Sequence, residues 1–354
     1  MKRVLLSGYY GFDNAGDEAV LAGLVKSVRD IAPPDSLSIE ALSINPMATA
    51  RDHAILAVHR MRLGPVLRSI ARTDLLASGG GSLLQDVTSR HGIFYYLAIV
   101  RLAQIMGKRT MFVAQGIGPL NEPRSRKLTA SVANRLDAIT VRDNGSAQLL
   151  RDIGVTQPVE VTADPALLLT PKAQPDRDQL RDGVATSLRP WRNCTGRVVD
   201  TLAQSWKDVL QPEPLVVMAM QPDVDGDAGA RLAAALGAPS PAPSTGLWTH
   251  VETVRQVKMV IGMRLHALIL AAAARTPMLA LSYDPKIDAF MTEIGQSDAV
   301  FNVEHDDPAE LTPLLARIWS ERASRAHALE AVLPALEARA SRNAKIMVDL
   351  ASGR

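Results

Sequence analysis

The sequence predicts an α/β fold built from two open parallel sheets, on three observations. Short β-rich runs alternate with helical periodicity along the chain, a polar, proline-bearing stretch interrupts the alternation at 170–183, and the alternation then restarts. A chain of 354 residues, 47% apolar and 21% charged, is long for one core and comfortable for two.

The first strand is read at "RVLLSG" and is followed by "DEAVLAGLVKSVRDI", where Val20, Leu21, Leu24, Val25 and Val28 recur on one helical face. Further strands follow at "LSIEALS", "TDLLASGG", "TMFVAQG", "AITVRD" and "VEVTADPAL". "TPKAQPDRDQLRDG" reads as an interdomain linker, which divides the chain into 1–172, a linker at 173–182, and 183–354. The second half offers strands at "GVATSLR", "PLVVMAM", "KMVIG", "PMLALSY" and "AVFNV", then two helices from about Pro308. Two Rossmann-like sheets facing a cleft would make a GT-B-like architecture, with ligands beyond the carboxyl ends of strands.

Bulk properties exclude several classes. Lys+Arg of 39 against Asp+Glu of 37 leaves a net charge of +2, too little for a general nucleic-acid binder. The single cysteine, Cys194, forms no intramolecular disulfide and no Cys-rich metal cluster, which fits a reducing compartment; no dedicated metal cluster is visible, and no metal or other cofactor is expected. The apolar run of "MKRVLLSGYYGF" is broken at Ser7 and Gly8 before it reaches signal-peptide length, and no window reaches the length of a spanning helix. The expected location is the cytoplasm. The stretch 51–72 mixes His53, His59, Arg60, Arg62, Arg68 and Arg72 with apolar residues. It reads either as a helix with a core face and a solvated face or as a peripheral contact with the inner face of an anionic membrane.

In the first half, Gly8, Gly11 and Gly16 are not spaced as a dinucleotide fingerprint, and Asp17 and Glu18 at the following helix start would repel a phosphate. This loop either meets neutral hydroxyls or is a tight turn with an Asp cap. "LLASGGGSLLQD" reads as a loop: Gly79, Gly80 and Gly81 allow close backbone approach, Ser82 offers a hydroxyl, and Gln85 and Asp86 lie on the first turns of a helix. Without a following Lys it is not a P-loop. Carboxylates and amides recognise sugar hydroxyls, so Asp17, Gly80, Gly81, Ser82, Gln85 and Asp86 are acceptor-side candidates, with His91 beyond them. Gln115 and Gly116 read as close packing, Arg142 with Asp143 as a structural ion pair, and Asp164 as a turn residue.

The second half carries cationic chemistry. "ATSLRPW" sets Arg189 at a strand end, "VIGMRLHAL" brings Arg264 and His266 to a helix start, and "LALSYDPKI" delivers Tyr283, Asp284 and Lys286. Guanidinium groups, an ammonium and helix amides together suit a small polyanion bearing carboxylate and phosphate. Residues two apart on a regular helix diverge, so Arg264 and His266 converge only if Arg264 lies at or before the cap.

Taken in order, "GYYGFDNAGDEAVLAGL", "ASGGGSLLQD", "FVAQGIGP", "VTADPAL", "SLRPW" and "GMRLHALILAAAARTPMLALSYDPKI" resemble the polysaccharide pyruvyl transferases over about residues 1–305. The resemblance is closest to the bacterial cell-wall branch of that family. It implies a GT-B-like fold and transfer of pyruvate from phosphoenolpyruvate to a sugar, forming a ketal with release of phosphate. In that branch the acceptor is an N-acetylmannosamine of a lipid-linked cell-wall precursor, and the product anchors surface-layer proteins. The family's "RLH" signature falls on Arg264, Leu265 and His266 and its upstream arginine on Arg189, which with Lys286 would bind phosphoenolpyruvate. The first motif departs from the family: Asp13 stands where a glycine is usual. Histidine is the side chain most often used as a proton shuttle near neutrality, so His266 is the candidate acid or acid–base group, with a base or hydrogen-bonding role as the alternative. The rival readings are a nucleotide-sugar glycosyltransferase using Asp284 or Asp288 on the ribose, and a non-catalytic sugar-binding subunit. Retention of Arg189, Arg264 and His266 together argues against the second.

Overall fold

The computed structural model describes residues 1–87, 92–170, 181–238 and 246–353. It divides into two compact units, one comprising Met1–Phe12, Asp17–Leu168 and Leu336–Arg354, the other Asp13–Gly16 and Leu169–Ala335.

The first unit holds strands β1 (Lys2–Tyr10), β2 (Leu37–Ser43), β3 (Leu56–His59), β4 (Leu75–Leu84), β5 (Arg109–Ile117), β6 (Ala138–Val141) and β7 (Val159–Val161). They form a parallel sheet in the order β3-β2-β1-β4-β5-β6-β7. The order reverses between β1 and β4, the switch point at which open sheets form ligand sites. Apolar residues of β1 alternate between two buried layers. Val4 and Leu6 pack with Val20, Leu21, Leu24, Val25 and Val28 of the Ala15–Ile31 helix, and Leu5 packs in the opposite layer with Leu76, Phe112 and the Gly92–Ile105 helix. The end of the Arg322–Ser352 helix returns to the first layer through Ala344, Met347, Val348 and Ala351. The unit boundary at Ala335/Leu336 therefore falls inside that helix, beside Pro334, whereas the sequence reading runs the second domain to 354.

The second unit holds β8 (Val184–Ser187), β9 (Leu215–Val217), β10 (Met259–Gly262), β11 (Met278–Ser282) and β12 (Val300–Asn302), in the order β12-β11-β10-β8-β9, all parallel. Each lies within a strand expected from the sequence. The Leu265–Ala273 helix is buried from Ala267 to Ala273, which explains why its sequence lacks a polar face.

Three expectations are corrected. The 51–72 stretch is not one helix: it holds the end of the Pro46–His53 helix, then β3, then the Leu63–Arg72 helix. The glycine run 79–81 is not a loop but the middle of β4, because β5 approaches so closely that a Cβ on Gly79 would lie 1.9 Å from the Val113 carbonyl oxygen. Gln85 and Asp86 consequently follow a strand and do not lie on helical turns. Among the described residues no helix is long and apolar enough to cross a membrane.

The C-terminal helix is tied to the first sheet by Asn343, which is fully buried. Its Oδ1 accepts from the Thr140 and Thr162 hydroxyls at 2.7 and 2.9 Å, and its Nδ2 donates to the Ala163 carbonyl at 3.1 Å. Replacement with Ala removes these buried bonds together, so Asn343→Ala is expected to lower stability by about 1–3 kcal/mol in urea denaturation.

Candidate functional site

In the second unit, adjacent strands end level. Ser187, Gly262 and Ala280 lie side by side in β8, β10 and β11, so Arg189, Arg264 and Ser282 each follow two positions beyond one register line. Arg264 is the N-cap of the Leu265–Ala273 helix, in an extended conformation with φ −87° and ψ 123°, which is the position that convergence with His266 requires. It places no side-chain acceptor on the first-turn amides, so its side chain does not offset the partial positive charge of that end.

Arg264 is fixed by a buried carboxylate. Its Nη2 donates to Asp225 Oδ1 at 2.6 Å and its Nε to the two carboxylate oxygens at 3.2 and 3.1 Å, while Nη2 also reaches Gln221 Oε1 at 3.4 Å. The side chain of Asp225 is 1% exposed and that of Arg264 14%. A carboxylate this deep requires a cation, so the pair locks one edge of the guanidinium. Nη1 makes no hydrogen bond among the described residues. The same buried carboxylate accepts from the Gln221 backbone N–H at 2.9 Å. Neither residue was singled out in the sequence; the available signal was their place in "MAMQPDVDGD", directly after a strand.

Arg189 sits against two aromatic rings. Its guanidinium carbon lies 5.6 Å from the Trp191 centroid and 5.2 Å from that of Tyr283, and Nη1 donates to Tyr283 Oη at 2.9 Å. The two rings are 4.3 Å apart, and Trp191 is anchored by its Nε1 on Glu304 at 3.0 Å. Among the described residues no carboxylate pairs with Arg189, and its buried Nε has no partner. A guanidinium held against rings without a counter-ion suits a planar anion. His266 packs on Gly16, which belongs to the same unit; a Cβ there would lie 2.4 Å from the imidazole Nδ1. Lys286 follows in the first turn of the Pro285–Glu293 helix. Both carboxylates of the nucleotide-sugar reading are engaged locally. Asp284 caps the Lys286 backbone N–H at 3.0 Å, and Asp288 accepts from the Ser282 hydroxyl at 3.0 Å.

In the first unit, Asp17 is buried with its carboxylate over Gly81, where a Cβ would lie 2.3 Å from Oδ1. Gly80, Gly81 and Asp17 are thus brought together at the switch point. Asp13 adopts φ 54°, a conformation that favours glycine and that Asp tolerates; the departure from the family motif therefore preserves the turn. The Ser82 hydroxyl accepts from Arg142 Nη2 at 3.0 Å, and Arg142 Nη1 binds Asp164 at 2.9 Å. Arg142 is therefore in a structural ion pair as expected, but chiefly with Asp164, because Asp143, at 3.9 Å, caps the next helix through the Ser146 backbone N–H. Gln85 accepts from the Val87 backbone N–H at 2.8 Å. His91 lies outside the described residues.

Two clusters went unread in the sequence. Glu18 binds His53 Nε2 at 2.7 Å and accepts from the Gly11 backbone N–H at 2.7 Å. Arg60 is buried under the rings of Phe12, Tyr95 and Tyr96, at 5.2, 4.2 and 5.1 Å, and donates to the Gly8 carbonyl at 3.1 Å. Burial pushes the Tyr96 hydroxyl up to about 12, although Arg60 opposes the shift.

With this geometry in view, the sequence matches the polysaccharide pyruvyl transferase family over residues 14–285. The chain belongs to that family. The match takes in Arg189, Asp225, Arg264 and His266 and stops just before Lys286. No curated protein matches the chain in sequence. Among solved structures it is similar to a putative UDP-N-acetylglucosamine 2-epimerase from Listeria monocytogenes, with TM-score 0.66 and 15% identity over 100% of this chain and 96% of that one. A UDP-GlcNAc 2-epimerase from Neisseria meningitidis bound to UDP-GlcNAc gives 0.63 and 12% over 100% of both chains. MurG from Acinetobacter baumannii gives 0.54 and 13%, again over 100% of both chains. Likeness at such identities concerns the fold, and it bears out the GT-B-like pair of parallel-sheet units. Among the described residues no group of three or more His, Cys, Asp or Glu is placed to hold a metal ion.

Asp86, an acceptor-side candidate, has a structural task in this family member. Its carboxylate accepts from the backbone N–H groups of Asn121 at 2.9 and 3.0 Å and Glu122 at 2.8 Å. Burial raises its pKa, but these amides, the Ser125 hydroxyl and its own backbone outweigh burial and hold the carboxyl below its usual value. A depressed folded-state pKa contributes stability that is complete above the unfolded-state pKa and is lost as pH falls through the folded-state value. Asp86→Asn is therefore expected to lower the melting temperature at neutral pH and to flatten the acid limb below about pH 4, read as thermal melts across pH.

Proposed function

We propose that the chain transfers pyruvate from phosphoenolpyruvate to a sugar, making a ketal and releasing phosphate. The observation that carries the reading is the pair of arginines at level strand ends, Arg189 without a carboxylate partner and Arg264 fixed by Asp225, beside a helix N-terminus. Phosphoenolpyruvate presents a carboxylate and a phosphate on three carbons, and two oriented guanidinium groups with helix amides match that charge distribution. Lys286 adds a point charge, and Leu265 places its backbone at the first turn between the two signature side chains.

The chemistry begins with protonation of the methylene carbon, which leaves an oxocarbenium-like centre at C2. One sugar hydroxyl attacks that centre, phosphate departs, and a second hydroxyl closes the ketal as both hydroxyl protons are given up. His266 is the residue assigned to proton transfer. Arg189 and Arg264 stabilise the charge that gathers on the leaving phosphate. Acceptor recognition falls to Asp17 with Gly80, Gly81 and Ser82. The acceptor assigned is the lipid-linked N-acetylmannosamine used by the CsaB group, met at the cytoplasmic face of the membrane. No metal or cofactor is required by this sequence of steps.

The test is incubation with phosphoenolpyruvate and a synthetic lipid-linked disaccharide containing N-acetylmannosamine. The expected result is the mass gain of one pyruvate ketal with stoichiometric phosphate, and a rate on the order of a hundredfold or more lower for His266→Gln at an unchanged melting temperature. Phosphate release without ketal, or an unaltered rate and pH profile in His266→Gln, contradicts the assignment.

A further inference from the structure

We propose that the outer edge of the first unit docks on an anionic bilayer surface. β3 is the edge strand, and Ser43 pairs with His59 in register, so the segments after β2 and β3 leave the sheet side by side. They expose Met47 at 85%, Met61 at 66% and Leu63 at 69%. Such large apolar side chains held in water gain most by entering an interface between headgroups and acyl chains. The Leu63–Arg72 helix continues the strip for about 15 Å, turning Val66, Ser69 and Ile70 inward and leaving Leu63, Arg68 and Arg72 exposed.

Charge identifies the partner. Residues 51–72 hold five arginines against one carboxylate, Asp52, and Asp52 is already paired with Arg51 at 2.7 Å. Arg60 is buried among aromatic rings, whereas Arg62, Arg68 and Arg72 enter no ion pair among the described residues. Beneath the same helix lies a cavity of about 350 Å³ whose lining includes Arg3, Arg68, Arg72, Ser69 and Thr73, with Glu40 the single acid. Guanidinium groups without carboxylate partners around a cavity suit a lipid phosphate headgroup. Met61 and Leu63 flank Arg62 in sequence, an alternation of apolar and cationic side chains that suits the interface of an anionic bilayer.

This inference stands on surface chemistry and does not rest on pyruvyl transfer, and its test contains no substrate. The full chain is floated with vesicles of phosphatidylcholine alone or mixed with phosphatidylglycerol, at low and high salt. Binding is expected to the anionic vesicles only and to weaken with salt. Joint replacement of Arg62, Arg68 and Arg72 by Gln is expected to weaken it roughly fivefold per arginine, and Met61→Asp with Leu63→Asp to lower it separately. Because these side chains are exposed, the thermal melts should not move. Absence of binding to anionic vesicles at low salt, equal binding to neutral ones, or variants that bind like the parent overturns the proposal. Self-association that these substitutions abolish, without vesicle binding, also overturns it and assigns the surface to a second copy.

Discussion

A carboxylate buried in the second unit fixes the position of the arginine at the next strand's end. Asp225 is almost wholly shielded from water, and a charge so placed must find a cation or lose its ionisation. Arg264 supplies that cation from the cap of the next strand's helix, and in doing so its own position is fixed. The bonds to Nε and Nη2 fix the guanidinium plane, so Nη1 is oriented without an entropic search of rotamers. That arrangement is what an anion clamp needs, because a guanidinium that must reorganise on binding loses part of its interaction free energy. Arg189 reaches the same end by other means: two rings restrict its plane, and no carboxylate competes for its charge.

The parallel sheets make such placement possible. In each unit the strands run one way, so their carboxyl ends and helix N-termini gather on one side. In the second unit the register of β8, β10 and β11 brings three polar segments to the same level. In the first unit the reversal at β1 and β4 opens the switch point beside Asp17 and the glycine run. The glycines there serve close approach of β5 and of the Asp17 carboxylate, so their role is steric before it is functional. Arg60 and its aromatic surround bind the Gly8 carbonyl at the end of the first strand, which couples the conformation of that loop to the packing behind it.

Much of this was legible in the sequence, and what was not has identifiable physical causes. Central strands such as those of "KMVIG" and "PMLALSY" announce themselves as apolar runs because both faces are covered. β3 escaped notice because "LAVH" is a short, half-exposed edge strand with no alternation to detect. β4 was cut short because its glycines carry no side chain to show strand preference. The sequence allowed Arg264 to converge with His266 only from a position at or before the cap, and Arg264 is the cap residue. Its partner was not legible, since Asp225 lies 39 positions away in a separate segment. Asp86 looked like a sugar ligand for a similar reason: the amides of Asn121 and Glu122 that claim it are remote in sequence. Residue type and local spacing reveal what a segment can do, while the partner that engages it is settled by long-range packing.

The central claim is that the second unit's arginines form a phosphoenolpyruvate site whose geometry is set by Asp225. Calorimetric titration of phosphoenolpyruvate into the full chain, compared with Arg189→Gln and with Arg264→Gln carrying Asp225→Asn so that no buried carboxylate is left unpaired, tests it most directly. The account predicts saturable binding to the parent chain that both variants lose, with no comparable heat from a uridine-diphosphate sugar. Equal phosphoenolpyruvate binding by parent and variants, or binding of the nucleotide sugar alone, would contradict it.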